Sequence, residues 1–365
     1  MAPMIGPAPA MPLAPSVVVC QDCRVEELPS YSVVIVTYNH AETLPACLEA
    51  VARLDPPPRQ LLVLDNASDD GSADLAEAAR AIGSSVVIRE RRNTGFAAAA
   101  NRGIEATDTP WVLLLNPDCA PRPEMVRHLL EAVSRQPERS RIGVAAPKLF
   151  RADGPGLGLT DRVDSAGMVV TSTGRHFDRG ADQPDHDGLQ YPAWVFGATG
   201  AAALYRREAL VDVAFENGEV FSETFFAYRE DAELAWRLQW RGWRCLFVPE
   251  AQGAHGRGFR PEQGRRGHEM INRLSVRNRF LLRWHCADLG WHLRCLPWWL
   301  LRDILVVGAC LTVERTSLPA LGEAWALRAD AQNRRRWVLG RRQVPSRRLV
   351  RWFRRRGRVE EVITT

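Results

Sequence analysis

No G-x-G-x-x-G and no Walker A stretch occurs in the strand-end loops of this 365-residue chain, so neither dinucleotide nor P-loop binding is supported. Cys20 and Cys23 form a single C-x-x-C, and no second pair or nearby histidine completes a zinc site. The other cysteines (Cys47, Cys119, Cys245, Cys286, Cys295 and Cys310) are scattered. We read all eight as reduced thiols of a cytosolic protein, with no structural zinc. The opening "MAPMIGPAPAMPLAP" lacks the basic n-region of a signal peptide and is too rich in proline for a stable helix, so residues 1–30 read as a disordered lead-in. Internal repeats are absent. No apolar run of spanning length is free of charge: "LPWWLLRDILVVGACLTV" (296–313) carries Arg302 and Asp303 in its middle. It reads as an interfacial or core helix, with Trp291, Trp298 and Trp299 as interface anchors.

Acidic residues are missing altogether between Ala331 and Val359, where twelve arginines fall. The whole chain carries a net +5, so without those twelve charges the remainder stands at −7. An acidic body is joined to a strongly basic tail. Interleaved with Trp337, Leu339, Leu349, Trp352 and Phe353, the arginines suit an anionic membrane surface. Nucleic acid is the other natural partner of such a tail. No recognised DNA- or RNA-binding module accompanies it, and nucleic acid is not expected as a partner.

What is present from Tyr31 onward is regular. "SVVIVTYN" (32–39) is a buried strand running into a polar turn, and a helix with Leu44, Cys47, Leu48 and Val51 on one face follows. "QLLVLDNASDDGS" gives a second strand and loop, and "WVLLLNPD" (111–118) ends the series as a continuous apolar strand. Strands alternating with helices imply βα units and a mostly parallel sheet. Ligands of such sheets bind beyond the carboxyl ends of the strands, where Thr37, Tyr38, Asn39, Asp65, Asn66, Asn116 and Asp118 fall. Past about residue 150 the rhythm weakens, with one hairpin expected near "RVDSAGMVVTSTGRHF". From about 270 the chain turns helical and basic.

Four side chains admit two readings each. Asp65 suits a base or ribose, or a plain Asx turn. Asp118 suits a hard divalent cation on phosphates, or again a turn. His255 is a candidate nitrogen ligand, or an ordinary loop histidine. Glu230 and Asp231, at the mouth of the helix in "FFAYREDAELAWRLQWRGW" (225–243), either complement free helix N–H groups or include a general base.

Taken in order, "SVVIVTYN", "LLVLDNASDDGS", "RNTGFAAAANRGI", "WVLLLNPD", "FGATGAAALYRREAL", "FFAYREDAELAWRLQWRGW" and "VPEAQGAHGRG" resemble a family 2 inverting glycosyltransferase of the GT-A fold. The likeness covers about 31–285, and the loop "DSAGMVVTSTGRHFDRG" also fits. Within the family the chain is similar to bacterial rhamnosyltransferases and galactofuranosyltransferases of cell-surface glycan synthesis. The resemblance implies an α/β, Rossmann-like, mostly parallel sheet flanked by helices, with a basic helical C-terminal extension. Residues 31–150 would bind the nucleotide-sugar and 151–285 the acceptor. Residues 286–365 would associate with the membrane, placing the enzyme peripherally at the cytoplasmic face.

The same resemblance assigns Asp65 to the nucleobase, with Thr37, Tyr38, Asn39 and Asn66 around it. Gly95, Phe96 and Asn101 complete the nucleotide side. Asp118 matches the D-x-D carboxylate holding Mg²⁺ or Mn²⁺ on the diphosphate, although the motif here reads Asn116-Pro117-Asp118, one carboxylate short. His255 matches a metal ligand of some relatives, and Asp231 matches the catalytic base, which the helix N-terminus should keep ionised. Glu230 either orients sugar hydroxyls or raises its neighbour's pKa. Glu233 and Arg237, spaced i,i+4, read as a surface pair. The implied partners are a nucleotide-sugar donor (dTDP-rhamnose or a UDP-sugar), a lipid-linked or glycan acceptor, and an anionic membrane. A non-catalytic GT-A scaffold is the alternative.

Overall fold

The computed structural model describes residues 28–79, 84–257, 268–354 and 357–361. Most of the lead-in, with Cys20 and Cys23, lies outside them, as do Arg355 and Arg356. Strands β1 (Tyr31–Thr37), β2 (Gln60–Asp65), β3 (Ser84–Arg89) and β4 (Trp111–Leu115) pair in parallel in the order β3-β2-β1-β4. Helices α1 (Leu44–Ala52), α2 (Ser72–Ala78) and α3 (Phe96–Glu105) connect them. Both faces of β1 and β4 are covered, which is why they read as unbroken apolar runs. Thr37 lies opposite Asp65, so the loops after β1 and β2 leave the sheet at one level.

The second half adds β5 (Cys119–Pro121), α4 (Met125–Ser134), β6 (Ile142–Asp153), β7 (Gly158–Ser165), β8 (Met168–Val170), β9 (His176–Asp178), β10 (Ala193–Val195), β11 (Ala202–Arg206), α5 (Arg207–Val213), α6 (Glu230–Trp240) and β12 (Arg244–His255). All belong to the same sheet except the β8–β9 hairpin and the helices. β11 inserts antiparallel between β4 and β6, and β12 runs parallel to β6. Along the central path only β10 and β11 run against β1, so the sheet is mixed but mostly of one direction. The register of β12 shifts between Val248 and Gln252, and beyond the shift Gly253–His255 pairs with β5. That irregularity re-aims the strand end and sets His255 opposite Cys119.

Helices α7 (Glu269–Cys286), α8 (Leu289–Leu311), α9 (Pro319–Ala326), α10 (Arg328–Gly340) and α11 (Ser346–Leu349) follow, and β13 (Glu360–Glu361) returns to pair with β10. Helices on either side of 286 pack together, α9 and α10 both lying against α7. Val338, Leu349, Trp352 and Phe353 are buried, and the Phe353 ring lies 4.6 Å from that of Trp236 on α6. Much of the arginine charge is spent on the acidic body: Arg334 pairs with Glu219, Arg341 with Asp212 and Arg342 with Asp288. Trp291 is fully buried against Trp236, so it anchors the core and not an interface. Glu233 and Arg237 are likewise buried, because α7 covers the face of α6 that their spacing alone left open.

Candidate active site

A cleft of about 690 Å³ opens at the carboxyl ends of β1, β2 and β4 and is walled on its far side by the start of α6 and α7. Asp118, His255, Glu230 and Asp231 all line it, so carboxylates more than a hundred residues apart meet around one space.

Asp118 sits just past β4 in a tight turn, closed by the Cys119 N–H donating to the Asn116 carbonyl at 3.1 Å. The Gly256 N–H donates to the Asp118 carbonyl at 2.7 Å and ties the end of β12 to that turn. His255 Nε2 then lies 3.4 Å from Asp118 Oδ1, while its Nδ1 lies 2.7 Å from Asp164 Oδ2. Asp164 is buried between Arg151 and Arg257, and its contact fixes the orientation of the ring. Burial disfavours charge on Asp118, but His255 beside it holds its carboxyl below the usual range. Burial likewise lowers the pKa of His255, and Asp118 and Asp164 together outweigh it, pushing the imidazole up to about 9.

Asp118, Cys119 and His255 bring one ligand atom each within 4.8 Å of one another. Asp118 Oδ1 is buried and makes no close hydrogen bond, its ion-pair partner His255 Nε2 standing off at 3.4 Å. That arrangement fits a divalent cation completing its shell with ligand oxygens. Cys119 fits poorly: its thiol donates to the Ala201 carbonyl at 3.3 Å, a hydrogen bond that a metal would have to replace.

Across the cleft, α6 begins in a strained segment. Phe226, Tyr228 and Arg229 all have positive φ (63°, 68° and 73°). At Phe226, φ 63° and ψ −66° with an Ala227 N–H to Phe225 O bond of 2.7 Å make a γ-turn of the rare hand. Three carbonyls of this segment, those of Phe225, Ala227 and Tyr228, accept from the buried Asn278 amide of α7 at 2.8–2.9 Å. Gly95 completes the clamp. Its φ is +85°, and a Cβ there would lie 2.6 Å from the Phe226 carbonyl oxygen and ring. Asp231 Oδ2 accepts from the Gly200 N–H at 3.1 Å and Oδ1 from the Ala232 N–H at 2.7 Å. Even so, burial outweighs these donors and raises the pKa of Asp231, contrary to the expectation from the helix terminus. Burial, reinforced by the Asp231 charge, also raises Glu230, one of whose oxygens has no partner.

Of the residues expected on the nucleotide side, Tyr38, Asn66, Gly95, Phe96 and Asn116 line the cleft. Asn66 accepts from the Thr94 N–H at 2.9 Å and donates to Asn93, bracing the loop that enters α3. Thr37, Asn39, Asp65 and Asn101 do not line it. Thr37 is buried under the loops. Asn39 is exposed and accepts from the Asp69 N–H at 3.0 Å. Asp65 makes the Asx turn, accepting from Ser68 at 3.1 Å, and keeps its buried Oδ1 without a partner. The Asn101 amide is wholly engaged with the Phe221 backbone and Glu223, so its place is in holding the loop before α6.

Residues 32–148 match the model of glycosyl transferase family 2. This part of the chain is a family 2 glycosyltransferase domain. The glycosyltransferase is 27% identical over 285 residues to an N-acetylglucosaminyl-diphospho-decaprenol L-rhamnosyltransferase of Mycobacterium tuberculosis, covering 72% of this chain and 88% of that one. It is 22% identical over 230 residues to a poly-beta-1,6-N-acetyl-D-glucosamine synthase of Staphylococcus aureus, 63% of this chain and 50% of that one. Among solved structures, GalNAc-T7 with UDP, GalNAc and Mn²⁺ superposes with a TM-score of 0.56 at 16% identity, covering 73% of this chain and 50% of that one. Residues 1–349 of S. aureus TarS give 0.51 at 16% identity, covering 85% and 90%. These structural likenesses establish the GT-A fold.

Two residues that shape this cleft were not foreseen as such. Asp164 opens the quoted stretch "DSAGMVVTSTGRHFDRG", yet only its approach to a strand 91 residues away makes it the partner of His255. Asn278 lies in a helix whose sequence gives no sign that its amide holds a loop some 50 residues earlier.

Proposed function

We propose that this chain is an inverting, divalent-cation-dependent glycosyltransferase, moving a sugar from a nucleoside-diphosphate donor to a lipid-linked or growing glycan acceptor at the cytoplasmic membrane. One observation carries the reading: Asp118, with His255 beside it, shares a cleft with Asp231. Asp118 and His255 would hold Mg²⁺ or Mn²⁺. Bound there, the ion offsets the charge that grows on the departing diphosphate.

The remaining chemistry belongs to the chain itself. Asp231 takes the proton of the acceptor hydroxyl as that oxygen bonds to the anomeric carbon. The bond from that carbon to the diphosphate oxygen breaks on the opposite face, so one displacement inverts configuration and no enzyme nucleophile is needed. The Gly200 and Ala232 N–H groups fix the carboxylate, which leaves its position defined before the acceptor arrives. The orphaned Oδ1 of Asp65 supports a role at the nucleoside end. The named chemistry of the mycobacterial relative supports a diphosphate-linked lipid acceptor.

The test is protection against thermal unfolding by nucleotide-sugars with and without Mn²⁺, followed by transfer assays with the protecting donor. Asp118→Ala should lose the Mn²⁺-dependent part of the protection. Asp231→Asn should keep protection and lose about 10²–10⁴-fold in transfer. Undiminished transfer by Asp231→Asn removes the base assignment.

A further inference from the structure

Within the part expected to meet the membrane, residues 286–365, the described structure shows a long exposed apolar surface on α8. On α8, Leu289, Leu293, Leu296, Leu300, Ile304 and Leu311 follow one another at helical spacing and are all exposed, Leu293 by 67% and Ile304 by 61%. Leu301 and Leu305 widen the stripe, and Trp298 is exposed at its side. The helix has 23 residues, about 34 Å at 1.5 Å per residue. An apolar strip of that length on the outside of a domain marks a contact surface.

Its polar residues point the other way. Asp303 is buried, 3.1 Å from Arg279 and paired also with Arg283 on α7, so the charge in the middle of this segment is spent toward the core. Trp291 and Cys295 are buried on that same inner side. The N-terminal end of α8 is packed by α11, where Ser346 crowds Gly290. Arg347, Arg348 and Arg351 are exposed in and just after α11, the helix packed on that end, and Arg294 is exposed on α8 itself. Between residues 289 and 322 the only acids are the buried Asp303 and the half-buried Glu314. The surface is thus an apolar ridge with a cationic collar.

We propose that α8 lies in the interface of an anionic lipid bilayer, its leucine stripe among the acyl chains and the arginines of α8, α11 and the following turn on the headgroups. The inference rests on the reading of a lipid-linked acceptor and adds the surface that meets the lipid. Among the described residues no single helix is long and apolar enough to cross a membrane, in keeping with a helix lying flat. The placement also suits the cleft. A Cβ at Gly174, in the turn between β8 and β9, would come within 3.5 Å of Trp291 of α8, while His176 at the start of β9 lines the cleft. An acceptor held in the bilayer would then reach the catalytic side from beneath α8.

The experiment is co-sedimentation of the full chain with vesicles of phosphatidylcholine, with and without phosphatidylglycerol. Binding should be strong only with phosphatidylglycerol and should weaken with salt. The double variant Leu293→Glu/Ile304→Glu should bind about a hundredfold more weakly, the loss expected for two leucine-sized side chains. Replacing Arg347, Arg348 and Arg351 with glutamine should cost about fivefold per charge. The apolar variant should keep both the wild-type melting temperature and nucleotide-sugar protection, which separates failure of this inference from failure of the cleft. Wild type that stays in the supernatant, or variants that bind as it does, overturn the proposal. So does a lipid-free dimer that Ile304→Glu dissociates, because a second copy then covers the stripe. Resistance of bound protein to an alkaline carbonate wash overturns it in favour of insertion by α8 and the segment 315–326, which are bent by 107°.

Discussion

Two buried clusters in this molecule join a carboxylate to a histidine and arginine, and they do different things. Beneath α6, both oxygens of Glu233 accept from Arg237 Nε at 2.9 Å, and His285 Nδ1 lies 3.3 Å away. The remaining Arg237 donors reach the carbonyls of Val213 and Val220, and its guanidinium stacks 4.5 Å from the Phe215 ring. At the sheet end, Asp118 is only loosely paired, with His255 Nε2 3.4 Å from its Oδ1, and the residue lines a cleft. Burial alone would raise both acids, and cationic neighbours hold both down, Glu233 at about 2. A buried charge is thus no mark of function. Lining a cavity is what sets Asp118 apart from Glu233.

The comparison predicts opposite outcomes for the two acids. Glu233→Gln strands a buried guanidinium and should cost about 3–5 kcal/mol of stability. Denaturant unfolding at several pH values checks the sign. A carboxyl held low in the fold stabilises above the ordinary carboxylate range, and that contribution is lost as pH falls toward 2. The gap between wild type and variant should therefore narrow in acid; equal stability at neutral pH would erase the distinction between the clusters.

Next in size is Asp164→Asn, which alters the partner of His255 without touching the cleft. Mn²⁺ affinity, read from the metal dependence of nucleotide-sugar protection, should fall about 10–100-fold. A smaller loss of unfolding free energy than that of Glu233→Gln would sharpen the contrast.

Glu230 is a third case, a buried acid with an unpartnered oxygen and no cation of its own. Its raised pKa means that it stabilises the fold in the protonated form, below the ordinary carboxylate range, and that this is lost as pH rises. Glu230→Gln should accordingly melt later than wild type, by a margin that grows with pH. The acid limb of transfer should lie above that of an ordinary aspartate, because Asp231 must be ionised and burial raises it. A margin independent of pH would show that Glu230 is not desolvated.

The same contrast explains what could be read from the sequence. β1, β4 and α6 were legible because burial on both faces or on one stripe leaves a local pattern, and loops after parallel strands converge by topology. The meeting of Asp118, His255, Glu230 and Asp231 followed from that convergence. Asp164 and Asn278 act only through partners brought close by the shift in β12 and the packing of α7, and no local pattern encodes either. Spacing placed Glu233 and Arg237 on one helix face but did not say that α7 would cover it. The helix-terminus argument for Asp231 omitted desolvation, which proved the larger effect. Composition also could not say which tail arginines an acidic surface claims, as Glu219 claims Arg334 and Asp288 claims Arg342, and which stay exposed, as Arg347, Arg348 and Arg351 do.

The Phe353 ring that rests on Trp236 has a consequence for biogenesis. During synthesis from the N-terminus, the helix bearing residues 230 and 231 emerges more than a hundred residues before the aromatic wedge that seats it. A nascent chain stalled before that wedge leaves the ribosome would have β1–β12 available but not β13, and the Trp236 ring uncovered on the side that Phe353 covers. The packing around Trp236 should therefore be completed only after residue 353 has emerged.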